Sequence, residues 1–201
     1  MIDVPNIFNV YDRFVDTAYA VDFTNHPIPS HAGFELRNSE PTEVVSVDGE
    51  QKPIPYFKLS IVPQRNVTFW GINFERNPAV MGGAKQCESM FTPVTGDRPF
   101  VLLLEMKYCL PKNADENSLD AFVQLKRTLT YLEQKKIINR NQHRIYLNIS
   151  IPWSSAEPFE SFRETQSDII KALENDKIAI LGYNSLLIHT ETHIKVPLCD
   201  V

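Results

Sequence analysis

Apolar positions along this 201-residue chain fall into three patterns: alternation, helical spacing and one unbroken run. The unbroken run is Phe100-Val101-Leu102-Leu103-Leu104, continued by Glu105-Met106-Lys107. Gly96-Asp97-Arg98-Pro99 precedes it and Pro111-Lys112-Asn113 follows it. So short a run between turn residues predicts a strand buried on both faces. Residues two apart on a strand share a face, so Glu105 and Lys107 project together from its end. A buried charge is costly unless it is paired, ligates a metal or lines a cleft. The end of this strand is therefore the first candidate site.

Helical spacing predicts three helices. Val10, Phe14, Val15 and Ala18 place one over Asn9–Ala20, with Asp12 and Asp16 on a common face. Phe122, Leu125, Leu129 and Leu132 form the apolar stripe of another over Ser118–Lys136, with Asn117 or Ser118 as N-cap and Asp120 in its first turn. Gln124, Lys126, Arg127 and Tyr131 lie off that stripe. Phe162, Ile169, Ile170 and Leu173 point inward on a third, Phe159–Asn175.

Alternating or short apolar segments predict strands. Tyr56–Val62 and Val67–Phe74 read as a hairpin across Pro63-Gln64-Arg65-Asn66. Ala84–Phe91 reads as a strand with Cys87, Ser89 and Phe91 on one face and Gln86, Glu88 and Met90 on the other. Arg144–Ile151 reads as a strand, and Ile178–Leu181 with Ser185–Thr190 as a second hairpin, to which Thr192–Pro197 adds an edge. Residues 23–55, rich in proline and turn residues, read as an elaboration with short strands at Gly33–Leu36 and Glu43–Val47. Asn77–Gly83 reads as a loop whose glycine pair lacks the Lys-Ser/Thr of a phosphate-binding loop. The strand–helix–strand step around Ser118–Lys136 favours a crossover and a mixed sheet flanked by helices, an α/β class.

Composition narrows the reading. With 43% hydrophobic and 22% charged residues the chain resembles an ordinary globular domain, taken as one domain over 1–201 with its core at about 67–151. The net charge of −5 argues against strong non-specific nucleic-acid binding without excluding a local basic groove. Cys87, Cys109 and Cys199 show no paired spacing, and the first residues lack the pattern of a secretory signal. Together these predict reduced thiols and a cytoplasmic setting, and no segment long enough to span a membrane. Cys87 and Cys109 are expected as small core residues, and Trp70 and Trp153 as core or rim aromatics. His189 and His193 lie in strand sequence, a poor zinc spacing.

The order of a strand with Glu88, an apolar strand ending Glu105-Met106-Lys107, an amphipathic helix and another strand resembles the PD-(D/E)XK nuclease superfamily, the restriction-endonuclease-like fold. Glu105-x-Lys107 matches the second half of the motif, and Glu88 stands where the family carries its acid. Gln124 resembles a glutamine that some members carry on the following helix. The chain departs from the pattern in having Glu for the usual Asp, in having no proline before it, and in having Thr128 rather than tyrosine four residues after Gln124. The resemblance implies Glu88, Glu105 and Lys107 as catalytic residues, Glu88 and Glu105 holding Mg²⁺ with the Met106 carbonyl, and phosphodiester hydrolysis of DNA. Gln124, Lys126 and Arg127 would bind substrate. The alternative is a nuclease-like domain without catalysis that serves as a binding or assembly module, in which Glu105 and Lys107 simply pair at a strand end.

Overall fold

The computed structural model describes residues 12–14, 18–22, 35–37, 42, 44–47, 49–74, 84–109, 111–152 and 166–196. Among them lie, in chain order, β1 (Asp12–Phe14), β2 (Ala18–Asp22), β3 (Glu35–Arg37), β4 (Val44–Val47), β5 (Glu50–Pro53), β6 (Tyr56–Ile61), β7 (Phe69–Asn73), β8 (Ser89–Pro93) and β9 (Phe100–Met106). A 3-10 turn at Pro111–Asn113 leads into α1 (Ala114–Gln134), followed by β10 (Arg144–Ser150), α2 (Ser167–Asn175), β11 (Ile178–Leu181), β12 (Ser185–Thr190) and β13 (His193–Lys195). No helix among the described residues is long and apolar enough to cross a membrane.

Among the described residues the strands form a six-stranded sheet in the order β1-β7-β8-β9-β10-β11, a five-stranded sheet in the order β13-β12-β6-β2-β3, and the β4-β5 hairpin. In the larger sheet the β1–β7, β7–β8 and β8–β9 pairs are antiparallel, whereas the β9–β10 and β10–β11 pairs are parallel. The larger sheet is thus mixed, and the chain is α/β. All seven residues of β9 are buried, because both faces of the strand are covered.

The period-2 alternation of β9 divides two cores. Val101 and Leu103 pack with Met90, Ile145, Leu147 and the α1 stripe Phe122, Leu125, Leu129 and Leu132. Phe100, Leu102, Leu104 and Met106 pack instead with Phe57, Leu59, Phe69, Leu186 and Ile188, between the two sheets. The layers therefore run helices, larger sheet, smaller sheet. The crossing from β11 to β12 is tied to β10 by polar side chains. Asn148 exchanges hydrogen bonds with the Tyr183 backbone at 2.9 and 3.2 Å. The Asn184 side-chain Oδ1 accepts from the Ser150 hydroxyl and the Ile151 N–H, both at 2.9 Å.

Several sequence expectations change. The helix expected over Asn9–Ala20 is replaced by β1 and β2, which pair with β7 and β6; non-local pairing overrides a helical spacing of only four residues. The two expected hairpins do not exist. Strands β6 and β7 lie in different sheets, as do β11 and β12, so each short loop is a passage between layers. Helix α1 starts at Ala114 with Asn113 as its N-cap residue, so Asp120 lies in its second turn and not its first. The expected Ala84–Phe91 strand begins only at Ser89, and Cys87 packs on the same helix-side core as Met90. Ile169 is exposed, while Ile170 and Leu173 pack inward. The expected strands near 33–36 and 43–47 appear as β3 and β4, and the expected edge as β13. The Asn77–Gly83 loop, Asp16, Phe162, Trp153 and Cys199 lie outside the described residues.

Candidate active site

Glu105 has the parity of Val101 and Leu103, so it leaves β9 on the helix side of the sheet. Lys107 follows with the same parity, and its N–H still donates to the Ser150 carbonyl at 2.8 Å, which fixes its direction. The antiparallel register pairs Ser89 with Leu104, and one step further sets Glu88 across from Glu105. Each carboxylate grips the backbone of the other's segment. Glu105 Oε2 accepts the Glu88 N–H at 3.0 Å, and Glu88 Oε2 accepts the Met106 N–H at 2.8 Å. Only 4% of Glu88 and 3% of Glu105 is exposed.

Lys107 joins this pair to α1. Its Nζ lies 2.9 Å from Glu105 Oε1 and 2.8 Å from Asp120 Oδ2. Gln124, one turn after Asp120, donates from Nε2 to the same Asp120 oxygen at 2.9 Å. Lys85 approaches Asp120 Oδ1 at 3.9 Å. Thr128, a further turn along, accepts the Cys87 N–H at 2.8 Å and donates to the Gln124 carbonyl at 3.0 Å. Asp120, Gln124 and Thr128 thus form a polar stripe on α1 at four-residue spacing, beside its apolar stripe. That stripe fixes the residue before Glu88 at one end and Lys107 at the other.

The charges follow from this geometry. Burial alone would depress the Lys107 ammonium, but Glu105 and Asp120 outweigh it and hold the group above its ordinary 10.5. Burial pushes Asp120 up, yet Lys107, with Lys85 and Gln124, outweighs it and holds the carboxyl below 3.8. Burial, then the charge of Glu105, drives the Cys87 thiol well above 9.0, and burial raises Cys109 against the pull of Lys107. Neither thiol is activated as a nucleophile.

The residues predicted to bind substrate separate. Gln124 is buried and belongs to the cluster. Lys126 and Arg127 are exposed, and Lys126 Nζ lies over the Phe122 ring, 5.4 Å from its centroid. Among the described residues neither makes a hydrogen bond or ion pair to the cluster. Asp120 was not among the predicted site residues, because a first-turn acid has a ready explanation in the helix dipole. Its four-residue spacing to Gln124 was the signal available. His189 and His193 stack edge to face with ring centroids 6.1 Å apart. Among the described residues no group of three or more His, Cys, Asp or Glu is arranged to hold a metal ion.

No protein-family model, curated protein or solved structure matches this chain.

Proposed function

We propose that this chain is a metal-dependent nuclease of the PD-(D/E)XK type that hydrolyses phosphodiester bonds in DNA, with Glu88, Glu105 and Lys107 at its centre. The observation that carries the reading is the crosswise hold of Glu88 and Glu105 with Lys107 beside them, at the adjoining ends of β8 and β9. The order of β8, β9, α1 and β10, with β9 and β10 parallel, also supports it.

The donor set suits Mg²⁺, which binds through one or two carboxylates and keeps water and phosphate oxygens for the rest of its shell. Glu88 and Glu105 would hold it, and by the resemblance the Met106 carbonyl would complete the set. Glu105 and Asp120 share the Lys107 ammonium, and Lys85 lies 3.9 Å from Asp120. When bound, the metal lowers the pKa of its water and offsets charge on the phosphate. Lys107, held protonated by Glu105 and Asp120, would supply a fixed positive charge to the developing oxyanion. Asp120 and Gln124 position that ammonium rather than touch substrate.

One observation favours the second reading, a binding or assembly module without catalysis. Glu88 and Glu105 are nearly closed to solvent and Lys107 is already shared by two carboxylates. Incubation with linear, nicked and single-stranded DNA and with RNA, in Mg²⁺ or Mn²⁺, separates the readings. Wild type is expected to cleave, and Lys107→Ala to lose about 10²-fold or more. Glu88→Gln keeps an acceptor for the Met106 N–H, so its stability is expected within about 1 kcal/mol of wild type while metal-dependent cleavage disappears. Equal cleavage by all three proteins would point to a contaminant. No cleavage of any substrate by wild type would favour the binding module.

A further inference from the structure

At the other end of the larger sheet, an open cavity of about 430 Å³ is lined by Arg98, Arg144, Ile145, Tyr146, Glu174, Lys177, Ile178 and Ala179. Its cations arrive in a regular way. Arg98 stands two residues before β9, Arg144 is the first residue of β10, and Lys177 immediately precedes β11. These three strands are parallel neighbours, so one basic residue is delivered to the same end of each. Arg98 and Lys177 both have left-handed backbones, at φ 63 and φ 65, which sets the direction in which each side chain leaves the chain.

Among the described residues none of the three cations has an ion-pair partner. Nearby Arg140, by contrast, is held by Glu133 and Asp176. Glu174 is the carboxylate in the lining, so three cations face one anion there. Arg98 donates from Nη2 to the Arg140 carbonyl at 3.4 Å, but its Nε is buried without an acceptor. A buried N–H with no acceptor is costly, and an anion against Arg98 would supply one. The rest of the lining, Ile145, Tyr146, Ile178 and Ala179, is largely apolar.

We propose that this cavity is a second ligand site, which binds a terminal phosphate group carried by a small phosphate ester or by a nucleic-acid end. Arg98 and Arg144 supply forked donors suited to phosphate oxygens, and Lys177 adds a point charge. Glu174 accepts a hydrogen bond from a hydroxyl of the ester. The site is separate from the carboxylate cluster. Phe100 pairs with Arg144 at its end of β9, and Glu105 lies five residues along the strand, about 16 Å away at 3.2–3.4 Å per residue. The proposal does not rest on hydrolysis at Glu88 and Glu105.

Calorimetric titration of the full chain with pyrophosphate, and with a short oligonucleotide bearing either a 5′-phosphate or a 5′-hydroxyl, tests it. Pyrophosphate is expected to bind wild type, and Arg144→Gln combined with Lys177→Asn to weaken it about tenfold or more. Asn is chosen at 177 because it tolerates the left-handed backbone. Lys112→Gln combined with Lys171→Gln removes the same charge from exposed positions outside the cavity, and binding should survive. Should the cavity double variant fail to fold, Arg144→Gln alone carries the test, since that side chain is exposed. Preference for the 5′-phosphate oligonucleotide over its hydroxyl twin assigns the site to nucleic-acid ends; binding of pyrophosphate without that preference assigns it to small esters. No binding to wild type, equal loss in both double variants, or undiminished binding in the cavity variant would overturn the proposal.

Discussion

The two faces of β9 differ in how they end. Toward the smaller sheet, Phe100, Leu102, Leu104 and Met106 are apolar to the last residue. Toward the helices, Val101 and Leu103 give way to Glu105 and then Lys107. The first face serves packing along its whole length. The second is packing for half its length and polar beyond, and the polar part continues onto α1 through Asp120, Gln124 and Thr128. Charge is thus carried on this strand where its cover changes from apolar side chains to a partner that satisfies it.

The largest expected effect tests whether the packed halves of the two faces are equivalent. Leu102→Ala and Leu103→Ala each delete a fully buried side chain, one on each side of the sheet. Each is expected to destabilise the fold by about 2–5 kcal/mol, read by urea unfolding. A cost near zero at Leu102 would mean that the smaller sheet does not cover β9 in solution.

The strand and its helix were legible in the sequence because both obey local rules. An unbroken apolar run between Gly96 and Pro111 leaves little but a buried strand, and Phe122, Leu125, Leu129 and Leu132 leave little but a helix face. Glu105 and Lys107 were legible as candidates because charges at the end of such a run demand a reason, whereas Glu88 became a candidate only through the resemblance to a known motif. What failed was pairing over distance. Alternation in Tyr56–Val62 and Val67–Phe74 signals two strands, but the same signal serves a hairpin or two strands in different layers. At Asn9–Ala20 the four apolar positions fit a helix, and only contact with β6 and β7 decides otherwise. Gln124 lies off the apolar stripe yet is buried, because Asp120 satisfies its amide. No rule based on hydrophobicity finds a polar residue that is buried for that reason.

A smaller effect tests whether the polar half is held as firmly as the packed half. Thr128→Val keeps the side-chain volume but takes the acceptor from the Cys87 N–H. The expected cost is about 1–3 kcal/mol, since a buried N–H is left unsatisfied. Because Cys87 precedes Glu88, any metal-dependent cleavage should fall with it. A neutral result in both stability and activity would show that the approach to β8 is positioned by something other than α1.

The smallest expected effect lies where the polar half meets solvent. Asp120 is the half-exposed end of the Glu105–Lys107–Asp120 chain, with 45% of its side chain accessible. Its carboxyl is held below 3.8 in the folded protein, so its contribution is fully present above that value and fades as pH falls through the folded-state pKa. Lys107, held above 10.5, acts in the opposite sense: its contribution is full below that value and fades as pH rises through its folded-state pKa. Solvent screening limits the Asp120 term to about 1 kcal/mol or less at neutral pH. Asp120→Asn should therefore be slightly less stable than wild type at about pH 6, and the gap should narrow as pH falls below 3.8. The Asn side chain still offers an oxygen to Lys107, so the gap reports charge rather than loss of a hydrogen bond. A gap that does not change with pH would break the link between Lys107 and Asp120, and with it the claim that the polar face of β9 is completed by α1.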